Sequence, residues 1–177
     1  MRRLSIALLA LTLILTPACS GSLALLQRAP TQTQQTPIRQ QSAALADALT
    51  IAVGVIDEAG YALSADPTIP TSTKDRFDCL IKQALGDDAP SAIVVQVCRG
   101  LISGPILSRA DAPLRLAMRS VQQATTDVSL ANTVSAVLAA TRPIWELLKQ
   151  SANARLAMLG TILELTVTRG QPKEALQ

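Results

Sequence analysis

Hydrophobic residues recur every three or four positions along most of the chain after residue 42, which is the spacing of one buried face of an α-helix. The clearest run alternates spacings of four and three residues and predicts a first helix over residues 43–64, with Ser42 as its N-cap. Its members are Leu45, Leu49, Ala52, Ile56, Ala59 and Leu63. This stripe can face the core of its own chain or pair with a second chain, and we expect the first.

Prolines divide the following sequence into shorter segments. Ser72 is followed three residues later by Asp75, a capping-box pattern that predicts a second helix over residues 74–85. Asp88, with Pro90 two residues later, predicts the start of a third helix, because an acidic N-cap and a proline in the first turn both suit a helix N-terminus.

The third segment is ambiguous between a helix and a strand. Residues 93–97 are rich in β-branched side chains, which favour a strand, but no partner strand is apparent elsewhere. We therefore expect a helix that ends near Gly104. Asp111 and Pro113 repeat the start signal and predict a fourth helix over residues 112–125.

The last helical stretch begins at Asp127, which is predicted to be its N-cap, and stops at Gly170. Pro143 lies inside this stretch and should kink or divide it. The predicted inward-facing residues are Val134, Val137, Leu138, Trp145, Leu148, Leu156, Leu159 and Leu163. In the fourth helix they are Leu114, Met118 and Val121.

These patterns predict an all-α protein, a small bundle of five or six short helices. The helical domain should cover residues 42–170, followed by a short tail at 171–177. Residues 19–41 are rich in Gln, Thr and Pro, a composition that cannot build a core, so we expect a disordered tether. Residues 1–18 have the composition of a signal peptide.

The N-terminus decides the compartment. Arg2 and Arg3 precede an uncharged apolar run over residues 4–15, and Ala18 stands directly before Cys19. This order resembles a bacterial lipoprotein signal peptide. The resemblance implies that Cys19 becomes the lipid-modified, palmitate-bearing N-terminus of the mature chain and attaches it to a membrane. Ser20 at the next position implies sorting to the outer membrane, with the domain facing the periplasm.

Two alternatives stay open for the same segment. Signal peptidase could cut near Ala18 or Ser20 and release a soluble secreted protein, or residues 4–27 could remain as an uncleaved anchor. Each alternative places the helical domain outside the cytoplasm. No second membrane pass is expected, because the longest later uncharged run, residues 128–141, is too short to span about 30 Å of hydrocarbon.

Export gives the cysteines a role. Cys79 and Cys98 form an even pair once Cys19 is lipidated, and disulfides persist outside the cytoplasm. If the second and third helices form an antiparallel hairpin, both cysteines lie at the same height above its turn. We therefore predict a Cys79–Cys98 disulfide worth about 3 kcal/mol on the chain-entropy model. The alternative is two buried free thiols.

Composition argues against an enzyme. The chain has no His, which removes the commonest general base and zinc ligand, and it contains no nucleophile-elbow or phosphate-binding motif. No cofactor or metal is expected. Asp57 and Glu58 are neighbours on a helix and point in different directions, so they cannot act on one substrate together. Asp87 and Asp88 occupy an expected helix start. We therefore expect these carboxylates to be solvated or to cap a helix, and not to catalyse a reaction.

Charge and aromatic content limit the classes of partner that the chain is expected to bind. Without Arg2 and Arg3 the chain carries 14 basic and 13 acidic residues, and no dense basic run exists, so nucleic-acid binding is disfavoured. The basic side of the fourth helix is expected to be solvated, and Trp145 is expected in the core. That basic side comprises Arg109, Arg115 and Arg119.

The sequence thus predicts an exported, lipid-anchored cell-envelope protein with a structural or protein-interaction role. Its partners would be the membrane, through the lipid on Cys19, and an envelope protein. The alternatives are a periplasmic carrier of an apolar ligand such as a lipid, or a phage-encoded envelope or lysis lipoprotein. The oligomeric state is left open.

Overall fold

The computed structural model describes residues 32–87, 92–124 and 126–169. The predicted signal peptide, Cys19, the first part of the predicted tether and the predicted tail at 171–177 lie outside this range. Two proposed helix boundaries, the N-cap at Asp88 and the stop at Gly170, lie outside it as well.

Six α-helices and no strand are found in the described parts of the chain, which confirms the all-α fold. The helices are α1 (Gln32–Ala65), α2 (Thr71–Leu85), α3 (Ala92–Leu101), α4 (Pro113–Gln123), α5 (Asp127–Lys149) and α6 (Ala154–Arg169). The β-branched segment at residues 93–97 is part of α3, so the preference for helix over strand is confirmed.

An aliphatic core joins α1, α2, α4, α5 and α6. All six residues of the heptad stripe on α1 are buried, none more than 4% exposed, so the stripe belongs to the core of its own chain. The predicted inward-facing residues of α4, α5 and α6 are buried or, for Met118 and Leu138, partly buried against the same cluster. The largest fully buried members of the core include Leu45, Leu49, Ile56, Leu114, Leu130, Ile144, Leu148, Leu156 and Leu163.

The start of α1 differs from the prediction. The helix begins at Gln32 rather than at residue 43, so residues 32–41, assigned to the tether, are helical. Gln is a good helix former, whereas Pro37 stands inside the helix and opposes it, because proline has no N–H to donate and its ring crowds the preceding turn. None of residues 37–44 is buried, which explains why hydrophobic periodicity did not reveal this extension.

The predicted N-caps of α2, α4 and α5 are wrong. Pro70 precedes α2, and the Pro70 carbonyl accepts from the backbone N–H groups of Thr73 and Lys74, so the capping box at Ser72 does not form. Ala112 precedes α4, while the Asp111 carboxylate accepts from the Ser108 hydroxyl. At the starts of α2 and α4 the residue before the helix has an extended backbone and makes no side-chain cap, so the capping preference of Ser72 and Asp111 did not set the boundary.

Thr126 caps α5 in place of Asp127, because the Thr126 hydroxyl oxygen accepts from the Ser129 N–H. Pro143 does not divide the helix, and α5 continues to Lys149. The break comes at residues 150–153, where the Asn153 side-chain oxygen accepts from the N–H of Arg155 and opens α6.

Candidate interaction surfaces and binding grooves

A disulfide joins Cys79 of α2 to Cys98 of α3, as predicted, with 5.4 Å between the two Cα atoms. Both cysteines are 2% exposed. The antiparallel direction of α3 against α2 stays a prediction, and two hydrogen bonds connect the end of α2 to the chain that follows α3. The Gln83 amide donates to the Ser103 carbonyl, and the Asp87 N–H donates to the Leu107 carbonyl. Ser103 and Leu107 lie beyond Leu101, the last residue of α3, so the chain returns to the C-terminal end of α2 after α3 has ended.

Helix α3 carries large apolar side chains that are exposed to solvent. Cys98 is the one buried residue within residues 92–107, a segment with a single charge, that of Arg99, and no acidic residue. Ile93 is 73% and Val97 46% exposed, and their spacing of four places them on one side of the helix. Gly100 follows on the same side, and a Cβ atom there would meet nothing within 4 Å. We call this side the α3 surface.

A second apolar stripe lies on the outside of α6. Met158, Ile162 and Leu165 are 57%, 38% and 45% exposed and follow helical spacing. The opposite side of α6 is buried against α5, so this stripe is the outer side of a well-packed helix. The α3 surface differs, because α3 has no comparable buried side and is fixed through Cys98.

A first groove, about 450 Å³, lies between the α1–α2 turn and the α5–α6 turn. At its edge the Asp66 carboxylate accepts from the Thr68 hydroxyl and N–H, at 2.6 and 2.8 Å, and from the Asn153 amide at 2.7 Å. These hydrogen bonds, those from Thr68 foremost, hold the pKa of Asp66 below its ordinary value, and the Lys74 charge acts in the same direction. A carboxylate so fully engaged joins two turns and is poorly suited to act as a base.

The second groove, about 410 Å³, lies between α2, the end of α3 and α5, and we call it the α2–α5 groove. Arg76 is the one charged residue that lines it, and Gln83 and Ser103 are the other polar ones. Its apolar lining includes Leu80, Ala84, Leu101, Ile102, Ala136, Ala139, Ala140 and Pro143. The third groove, about 480 Å³, lies between α4 and α5 and carries Asp111.

The other residues singled out from the sequence do not form a shared site. The Arg119 guanidinium donates to the Ala110 carbonyl, and Arg109 is exposed. Arg115 is half-buried, and its Nε atom has no hydrogen-bond partner. Trp145 is 5% exposed, so its placement in the core is confirmed.

The paired acidic residues are also separated. Glu58 pairs with Arg155 and links α1 to the start of α6, whereas Asp57 is exposed. Asp87 is half-buried beside its backbone bond to Leu107, and Asp88 lies outside the described residues. Within the described ranges no group of acidic or cysteine side chains could hold a metal ion, and no helix there is long and apolar enough to cross a membrane.

No pattern in the sequence indicated the Asp66–Asn153 contact, whose partners are 87 positions apart, or the α2–α5 groove, whose lining residues come from separate segments of the chain. No protein-family model matches the chain, and neither does any curated protein or solved structure.

Proposed function

We propose that the chain is an exported cell-envelope protein, anchored by lipid at Cys19, whose helical domain acts by binding an envelope protein. The observation that carries this proposal is the disulfide-held helix α3. Disulfides of this kind persist in oxidising compartments and are rare in the cytoplasm, which supports export. The outer membrane, facing the periplasm, is the location that Ser20 favours, and a secreted soluble form is the alternative.

The α3 surface supports the binding role. Exposed apolar residues that cluster on one helix mark interaction sites more often than scattered ones do. The disulfide fixes the position of α3 before a partner arrives, and such preorganisation lowers the entropy cost of binding. Because Arg99 is the one charge of the segment, the expected partner presents an apolar groove with carboxylates at its rim.

The length of the linker is consistent with an anchored domain. Twelve residues separate Cys19 from the start of α1, and they can span at most about 43 Å. A lipid on Cys19 would therefore keep the domain within reach of proteins in the same membrane.

Lipid attachment is tested by palmitate labelling of the wild type and Cys19→Ser, with and without globomycin. The proposal expects label in the membrane-bound wild type, loss of label in Cys19→Ser, and an unprocessed precursor under globomycin. An unlabelled wild type that is recovered from the medium would contradict the anchor and favour the secreted form.

The binding role is tested by placing a photo-crosslinking amino acid at position 93 in cells. Position 158 on α6 is the matched control, since Met158 is also apolar and more than half exposed. We expect a discrete crosslinked species from position 93, weakened by Arg99→Glu, and none of that size from position 158. Identical products from both positions would contradict the α3 surface as the contact.

A further inference from the structure

We propose that the α2–α5 groove binds one anionic amphiphile with a single alkyl chain, such as a fatty acid, with its carboxylate on Arg76 and its chain on the apolar floor. The proposal goes beyond the envelope role above and does not depend on lipid at Cys19. It rests on the shape, the lining and the charge of this one groove.

The floor suits an alkyl chain. Short side chains on the α5 side, Ala136, Ala139, Ala140 and Pro143, leave space that longer residues would fill. The volume of about 410 Å³ falls in the range of about 300–1,000 Å³ that is usual for small-molecule sites. A mostly apolar lining with very few polar groups is also the usual composition of such sites.

Arg76 supplies the recognition of a negative head group. It makes no hydrogen bond or ion pair with any residue in the described ranges, and no carboxylate lines the groove. A guanidinium can bind a carboxylate through two parallel hydrogen bonds. Because Arg76 is exposed, the head group would stay at the groove mouth while the alkyl chain enters.

The other two grooves do not offer this combination. The first contains Asp66 and the third contains Asp111, so a carboxylate ligand would be repelled from both. The charge of the lining thus selects the α2–α5 groove for an anion.

The wall opposite α5 is held in place by the fold. Leu101 and Ile102 follow Cys98 by three and four residues, and the Gln83 amide binds the carbonyl of Ser103. The disulfide and this hydrogen bond hold the wall at α2 before any ligand is present, so the entropy cost of binding is reduced.

The test uses the full chain with its disulfide intact and a fatty acid that carries a diazirine group in its alkyl chain. The corresponding fatty alcohol is the neutral probe. After irradiation, labelled peptides are mapped by mass spectrometry. We expect the acid to label peptides of α2 and α5 that line the groove, and to label them more strongly than the alcohol does.

Two pairs of variants sharpen the result. Arg76→Glu should lower labelling by the acid about tenfold or more, since a charged hydrogen bond is lost and a repulsive charge added. Arg142→Glu makes the same charge change on exposed α5 surface outside the groove and should leave labelling unchanged. Ala139→Trp should block both probes, whereas Ser135→Trp, outside the groove on the same helix, should block neither.

Equal labelling by acid and alcohol, or labelling that Arg76→Glu does not change, would overturn the proposal. So would label found mainly on residues 93–97, which lie on the α3 surface and outside the groove, because it would indicate partition onto that surface. Lipid at Cys19 is detected on a different peptide, so failure here is distinct from failure of the anchor. A circular dichroism spectrum of each variant checks that it is folded, and Arg76→Gln replaces Arg76→Glu if needed.

Discussion

Gly160 of α6 lies so close to Leu148 of α5 that a Cβ atom at position 160 would come within 2.9 Å of the Leu148 Cβ atom. The Lys149 nitrogen and the Trp145 carbonyl oxygen would be equally close. Two of these three atoms belong to the backbone of α5 and cannot rotate away. The two helices therefore meet at their backbones, and Gly160 is required by this contact.

Gly160→Ala should destabilise the protein. In a free helix the change would stabilise by up to about 1 kcal/mol, but here the added methyl group overpacks the α5–α6 contact, which typically costs about 1–3 kcal/mol. Gly54→Ala is the matched control, because a Cβ atom on α1 at that position meets nothing within 4 Å. Urea unfolding should show a lower midpoint for Gly160→Ala and a slightly higher one for Gly54→Ala. Equal shifts for the two would contradict the close contact.

Removal of the disulfide should lower the stability of the whole protein and loosen helix α3. Cys79→Ala combined with Cys98→Ala opens a link between residues 19 positions apart, which the chain-entropy model values at about 3 kcal/mol. Since Cys98 is the one buried residue of α3, this helix should also lose its fixed position. Hydrogen exchange should be faster in α3 than in the wild type, with a much smaller change in α5 under conditions where the protein stays folded. Uniform acceleration across both helices would show that α3 is held by other contacts.

Much of the fold follows from the local sequence, because each helix carries its own periodic pattern. The stripe from Leu45 to Leu63 and the pairing of Cys79 with Cys98 were both predictable. The path of the chain after α3 was not, since it depends on Gln83 and Leu107 contacts that have no sequence pattern of their own. The N-caps were also missed, by one or two positions at α2, α4 and α5.

The candidate surfaces could not be predicted from the local sequence either. Ile93 and Val97 are visible in the sequence as apolar residues, but whether such residues lie inside or outside is decided by the packing of other helices. The α2–α5 groove is likewise an outcome of packing. No sequence motif surrounds Arg76. It became a candidate ligand-binding residue only because the fold places it at the same groove as the alanines of α5.

Pro143→Ala should stabilise α5. Proline has no N–H to donate to the Ala139 carbonyl four residues earlier, and its ring crowds that carbonyl, at a usual cost of about 3 kcal/mol in a helix interior. Pro143 is exposed, so alanine leaves no cavity in the core. The midpoint of urea unfolding should rise, by an amount equivalent to about 1–3 kcal/mol. Pro113→Ala, at the first position of α4 where proline is well tolerated, should change the midpoint much less. A fall in stability for Pro143→Ala would mean that the bundle requires the proline geometry.

The Asp66 contact predicts a defined pH dependence of stability. Hydrogen bonds from Thr68 and Asn153 lower the pKa of Asp66 in the folded state below its ordinary value of 3.8. A carboxylate with a lowered pKa binds protons more weakly when folded, so its contribution is complete above the unfolded pKa and is lost as the pH falls through the folded pKa. Asp66→Asn should therefore lower Tm at pH 7, and the difference from the wild type should shrink once the pH drops below about 4. Asp57→Asn, on exposed α1 surface, is the control and should show a smaller difference at pH 7. Thermal melts at steps from pH 7 to pH 2.5 measure both. A difference that stays constant to the lowest pH would show that the Asp66 charge does not stabilise the two turns.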